Sequence, residues 1–129
     1  MNDPQLTGAV LYAKDPERLA AFYSAVAGLR ITNRRESFFV LGSSSAQLVI
    51  VQIPKPIADA IALETPPIRR ENASIKLVFS IENIELGRAK AAELGGELNA
   101  SNREWEFEGA KVCDGHDPEG NVFQLRHAR

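Results

Sequence analysis

The sequence predicts an α+β fold: one domain built from two similar βαβββ halves. Three observations predict it. Strand-like alternation and helix-like periodicity follow one another in the same order twice. Matching helix caps, Asp15 and Asn83, stand 68 residues apart. The glycines after the two helical stretches, Gly28 and Gly96, keep the same offset. Identity between the halves is low, so the repeat rests on layout. A length of 129 residues suits one core. The chain is therefore read as a single domain, 1–129, with module one at 5–53, a linker at 54–72 and module two at 73–129.

Module one opens with a strand over Leu6–Ala13. Asp15 takes the N-cap position, Pro16 the first helical position, and Glu17 places negative charge in the first turn. Leu19, Phe22, Tyr23 and Val26 form one apolar stripe, and Gly28 supplies the stop. Strands follow over Leu29–Arg35, Ser37–Leu41 and Ala46–Ile53, with a turn at Gly42–Ser45 between the last two. The linker holds four of the seven prolines and a short helix over Ile57–Leu63. Module two starts with a strand over Ser74–Ile81. Its helix carries Ile84, Gly87, Ala91 and Leu94 on one face and stops at Gly95-Gly96. Strands follow over Glu97–Ala100, Glu104–Phe107, Ala110–Asp114 and Val122–His127. Asp117-Pro118-Glu119-Gly120 has the chemistry of a hairpin turn.

Composition excludes several functions. Net charge is −2, and no basic run exceeds two residues, so nucleic acid is not an expected partner. The longest apolar stretch, Leu48 to Ile53, is interrupted by Gln52 and is too short to cross a bilayer. Met1-Asn2-Asp3-Pro4 has neither the basic nor the apolar region of a signal peptide. Cys113 is the sole cysteine, which rules out an intrachain disulfide. A cytoplasmic location is the expectation.

Strand parity separates two faces. Ile75, Leu77, Phe79 and Ile81 form an apolar face for the helices, with Lys76, Val78 and Ser80 opposite. Ala9, Leu11 and Ala13 oppose Gly8, Val10 and Tyr12. Phe123 and Leu125 oppose Val122, Gln124 and Arg126. The mixed faces are expected to border a concavity into which Gly8, Lys76 and Gln124 look together.

Asp15-Pro16-Glu17-Arg18, then Ala21-Phe22-Tyr23 and Gly28-Leu29, resembles the opening of the glyoxalase, bleomycin-resistance protein and extradiol dioxygenase superfamily, also called vicinal oxygen chelate. Asp117 to Asn121 followed by Val122-Phe123-Gln124-Leu125 resembles its closing hairpin. The resemblance implies paired βαβββ modules whose curved mixed sheets enclose a cleft, and a homodimer. Enzymes of that superfamily hold a divalent metal on His or Glu. The resemblance carries those positions onto Gly8, Lys76 and Gln124, with a fourth on Gln47 or Val49. Such a metal needs about three imidazole, carboxylate or thiolate ligands. Glycine has no side chain, lysine is a cation and glutamine is a weak ligand. Neither a metal nor any other cofactor is expected.

The candidate ligand-binding residues are Lys76, Gln124, Tyr12, Trp105, Gly8 and His116. Lys76 suits a carboxylate, phosphate or enolate oxygen, and partly buried it would serve as a base; the plain alternative is a pair with a nearby acid. Gln124 offers a donor and an acceptor to a ligand or to a neighbouring strand. Trp105 shares a face with Phe107 and suits a planar ligand or core packing. Tyr12 adds a hydroxyl. His116, between Asp114 and Asp117, is an acid or base at the pocket mouth or simply part of the turn. Cys113 reads as a small buried hydrophobe, His127 as solvated, and Arg34, Arg35, Arg69 and Arg70 as surface charge. Three function classes stay open. The leading one is a metal-free binding protein for a small anionic or aromatic molecule. The others are a lyase, isomerase or dioxygenase of the same fold, and an interaction module.

Overall fold

The computed structural model describes residues 3–42 and 45–128; Met1, Asn2, Ser43, Ser44 and Arg129 lie outside it, and with them the middle of the expected Gly42–Ser45 turn. Module one contains β1 (Gly8–Ala13), α1 (Pro16–Ala27), β2 (Ile31–Arg34), β3 (Phe38–Gly42) and β4 (Gln47–Gln52). The linker contains α2 (Lys55–Ala60). Module two contains β5 (Leu77–Ser80), α3 (Ile84–Glu93), β6 (Glu97–Leu98), β7 (Trp105–Phe107), β8 (Ala110–His116) and β9 (Val122–Ala128). Two curved mixed sheets result. The first runs β1-β4-β3-β2, with β1 parallel to β4. The second runs β5-β9-β8, with β5 parallel to β9 and both β6 and β7 on the far edge of β8.

Local chemistry explains the helix ends. Asp15 Oδ1 accepts from the Arg18 amide at 3.1 Å, and Asn83 Oδ1 accepts from the Leu86 amide at 3.0 Å. Gly28 closes α1 at φ 72°. After α3 the left-handed residue is Gly95, at φ 93°, not Gly96, which the spacing had matched to Gly28. Gly96 is needed for a different reason. A Cβ there would lie 2.4 Å from the His116 carbonyl oxygen and 2.5 Å from the buried ring of Phe22.

Three expected elements shift. The strand placed at Ser74–Ile81 begins only at Leu77, and Ile75, expected beneath the helices, is 76% exposed. The two strands expected at Glu97–Ala100 and Glu104–Phe107 shorten to Glu97–Leu98 and Trp105–Phe107, with a 3-10 turn at Ser101–Arg103 between them. Arg88 draws that segment toward α3: its Nε donates to the Asn99 carbonyl at 3.0 Å, and its guanidinium pairs with Glu85 and Glu104. The linker helix starts and stops two to three residues earlier than Ile57–Leu63. The Lys14 ammonium donates to the carbonyls of Ala58, at 2.7 Å, and Ile61, which satisfies the helix end there.

One cluster of buried side chains is shared by both sheets. Leu19, Phe22, Tyr23 and Val26 of α1 pack with Leu41, Leu48 and Ile50 of the first sheet and with Phe123 and Leu125 of the second. The Tyr23 ring lies 5.4 Å from Phe79 and 5.6 Å from Phe123. Each such side chain contributes about 1.5–3 kcal/mol by leaving water. The closing turn is tied to the opening one. Glu119, buried, accepts from the amides of Lys14 and Asp15 at 2.8 Å each. Tyr23 Oη donates to Asp117 Oδ2 at 2.6 Å.

Candidate functional site

The helices cover one face of each sheet, so the other face is left for a ligand. On the first sheet, Gly8 stands beside Gln47 and Gly42, Val10 beside Val49 and Val40, and Tyr12 beside Val51 and Phe38. Gln47 and Val49 therefore share the open face. Only Gln47 joins Gly8 and Lys76 around a cavity of about 680 Å³ between the edge strands β1 and β5. Val10, Val78 and Asn121 also line it. Tyr12 is exposed further along the first sheet, outside that lining. A second cavity, of about 900 Å³, lies under the linker beside Arg18 and Gly95.

On the second sheet the polar residues form a ladder. Lys76 Nζ lies 2.8 Å from Asp114 Oδ2, with the lysine side chain 40% exposed. Asp114 Oδ1 accepts from Gln124 Nε2 at 3.0 Å, and Gln124 Oε1 accepts from Arg126 Nε at 2.7 Å. The Arg126 guanidinium carbon sits 4.9 Å from the centre of the Phe107 ring. Trp105 and Val112 share the row of Arg126, so Trp105 belongs to this same face. The structure thus joins Lys76 to Gln124 through Asp114, and sets Trp105 near the Arg126 end. Asp114, Arg126 and Phe107 escaped the sequence-based selection. Parity from Gln124 already placed Arg126 on the mixed face, but the link through Asp114 depends on the β8–β9 register.

His116 lines neither of these cavities. It is only 7% exposed, its Nδ1 has no hydrogen-bond partner, and burial with the nearby Arg69 charge lowers its pKa. Arg69, in turn, is held by Asn99 at 2.6 Å and Glu71 at 3.0 Å. Asp117 belongs to the turn: its Oδ1 accepts from the amides of Glu119 and Asn121. Burial raises the Asp117 pKa, and the Tyr23 and Asn121 hydrogen bonds oppose that rise. The Cys113 thiol is buried and donates to the Asn99 carbonyl, and burial raises its pKa.

These donors do not suit the divalent metal of the resemblance. A side chain at position 8 would begin with a Cβ 2.3 Å from the Gln47 carbonyl oxygen. Gln47 and Gln124 are neutral, Lys76 is cationic, and the nearby carboxylate of Asp114 has both oxygens engaged. Among the described residues no three His, Cys, Asp or Glu side chains gather as a ligand set. No helix among them is long and apolar enough to cross a membrane.

Comparison by structure finds the same fold elsewhere. A glyoxalase/bleomycin resistance protein/dioxygenase family enzyme from Burkholderia phytofirmans is 17% identical with a TM-score of 0.65, over 95% of this chain and 98% of that one. A lactoylglutathione lyase from Agrobacterium tumefaciens is 18% identical with a TM-score of 0.59, over 98% and 96%. The bleomycin resistance determinant encoded on transposon Tn5 is 14% identical with a TM-score of 0.60, over 98% and 99%. At these identities the likeness is one of fold. By sequence, no curated protein matches. A family model described as a glyoxalase-like domain matches residues 8–126. That span runs from the first residue of β1 well into β9, and the chain belongs to the glyoxalase-like domain family.

Proposed function

We propose that this protein is a glyoxalase/bleomycin-resistance-like binding protein for a small organic molecule and works without a catalytic metal. The donor chemistry supports this reading best. Where the resemblance puts the superfamily's metal ligands, this chain has Gly8, Lys76, Gln124 and either Gln47 or Val49, and Asp114 is already committed to Lys76 and Gln124. A homodimer in the cytoplasm completes the proposal. The open face of the first sheet is apolar, and a second copy would close the cleft over it.

Metal analysis of the purified protein, paired with a thermal-shift screen of small organic acids and aromatics, tests the reading. Little retained metal and a ligand-dependent rise in Tm are the expected results. Stoichiometric Fe, Ni, Zn or Mn surviving dialysis would instead favour a lyase, isomerase or dioxygenase. If no compound raises Tm, the binding role fails.

A further inference from the structure

We infer that Arg126, rather than Lys76, is the open cation of the second-sheet face, and that it receives the carboxylate of an aromatic monoanion whose ring lies against Trp105. The inference rests on the metal-free binding role and names a ligand class for the second-sheet face that carries Lys76.

Hydrogen-bond accounting along the ladder carries it. Asp114 neutralises Lys76, and its second oxygen is taken by Gln124. Gln124 then has its carbonyl oxygen committed to Arg126 Nε. This fixes one edge of the guanidinium and leaves its two terminal nitrogens, and no carboxylate among the described residues pairs with them. Two cations and one carboxylate leave a single net positive charge on the ladder. That balance fits a carboxylate better than a dianionic phosphate. A planar guanidinium held at one edge is also preorganised for a two-oxygen acceptor.

The surroundings supply the rest of the ligand's shape. Phe107 backs the guanidinium and is 45% exposed; Trp105, on the same face of β7, is 41% exposed. Val78 is exposed beside Gln124, on the neighbouring strand. Exposed aromatic and aliphatic surface around an arginine with no carboxylate partner among the described residues suits a flat apolar body with one charged end.

Trp105 is the sole tryptophan of the chain, so its fluorescence reports directly on this face. The probe is benzoate, compared with benzamide, acetate and phenyl phosphate. Benzoate should change the emission saturably, and each of the other three should bind at least about tenfold more weakly: benzamide lacks the charge-assisted pair, acetate lacks the ring to bury, and phenyl phosphate carries excess charge. Arg126→Gln should weaken benzoate by a similar factor, Arg126→Lys should restore part of it, and Phe107→Leu should cost less. Equal binding of benzoate and benzamide, tighter phenyl phosphate, or unchanged benzoate affinity in folded Arg126→Gln and Arg126→Lys would each overturn the inference. So would silence toward benzoate while another compound raises Tm, which would leave the binding role standing. Retained metal would instead remove the role itself.

Discussion

His116 carries an unusual load for a side chain of its size. Buried, with Nδ1 unpartnered and Arg69 nearby, it has a pKa below the ordinary 6.5. The folded state then resists protonation while the unfolded chain accepts it. This contribution to stability is complete above about pH 6.5 and is lost as pH falls through the lowered folded value. Glu97 and Asp117 pull the other way but are outweighed. Asp117 itself has a raised pKa, so its stabilising contribution is present below 3.8 and is lost as pH rises through the folded value. The His116 effect is therefore read as a difference between proteins. Relative to His116→Gln, the wild type should lose stability between pH 7.5 and 5.5 in urea unfolding. A difference that stays constant with pH would refute it. Little of this was legible in the sequence. The Asp-Pro-Glu-Gly run announced a turn, and a turn it is, but Tyr23 and the Lys14 and Asp15 amides reach it from the other end of the chain.

The elements themselves were written more openly. Caps at Asp15 and Asn83, the apolar stripe of α1 and the alternation of β1 are local patterns, and each survives folding. What changed was where strands begin and end, as at Asn99 and Glu104, which lie beside the 3-10 turn and are bound by Arg88 of α3. The candidate site divides in the same way. Parity set Lys76, Gln124 and Arg126 on one face, but which of them stays uncompensated depended on a strand register that no single segment encodes. The two post-helical glycines make the contrast measurable. Gly28→Ala meets no atom within 4 Å and suffers only its positive φ, a cost of about 1–2 kcal/mol. Gly96→Ala drives a methyl group into backbone and a buried ring, so it should cost more, up to about 3 kcal/mol. Urea midpoints of the two variants check the order; a milder Gly96→Ala would mean that β8 and α1 separate more easily than their packing implies.

For the molecule as a whole, the unequal sheet faces matter most. One is polar and laddered; the other shows Val10, Tyr12, Phe38, Val40, Val49 and Val51 in adjacent rows. A contiguous apolar face of this kind is a surface for association. Sedimentation should find a dimer at micromolar concentration, and Val49→Asp should shift it toward monomer without loss of far-UV circular dichroism. A wild-type monomer would show that the face is tolerated in water. The fastening of Glu119 to Lys14 and Asp15 has a kinetic meaning as well. It joins positions 104 and 105 residues apart, so the loop it closes runs through both modules. Contacts of that span form late, after most chain entropy has been surrendered. A ribosome must make the chain as far as the closing turn before the first helix acquires this partner, and until then the first module waits for the second.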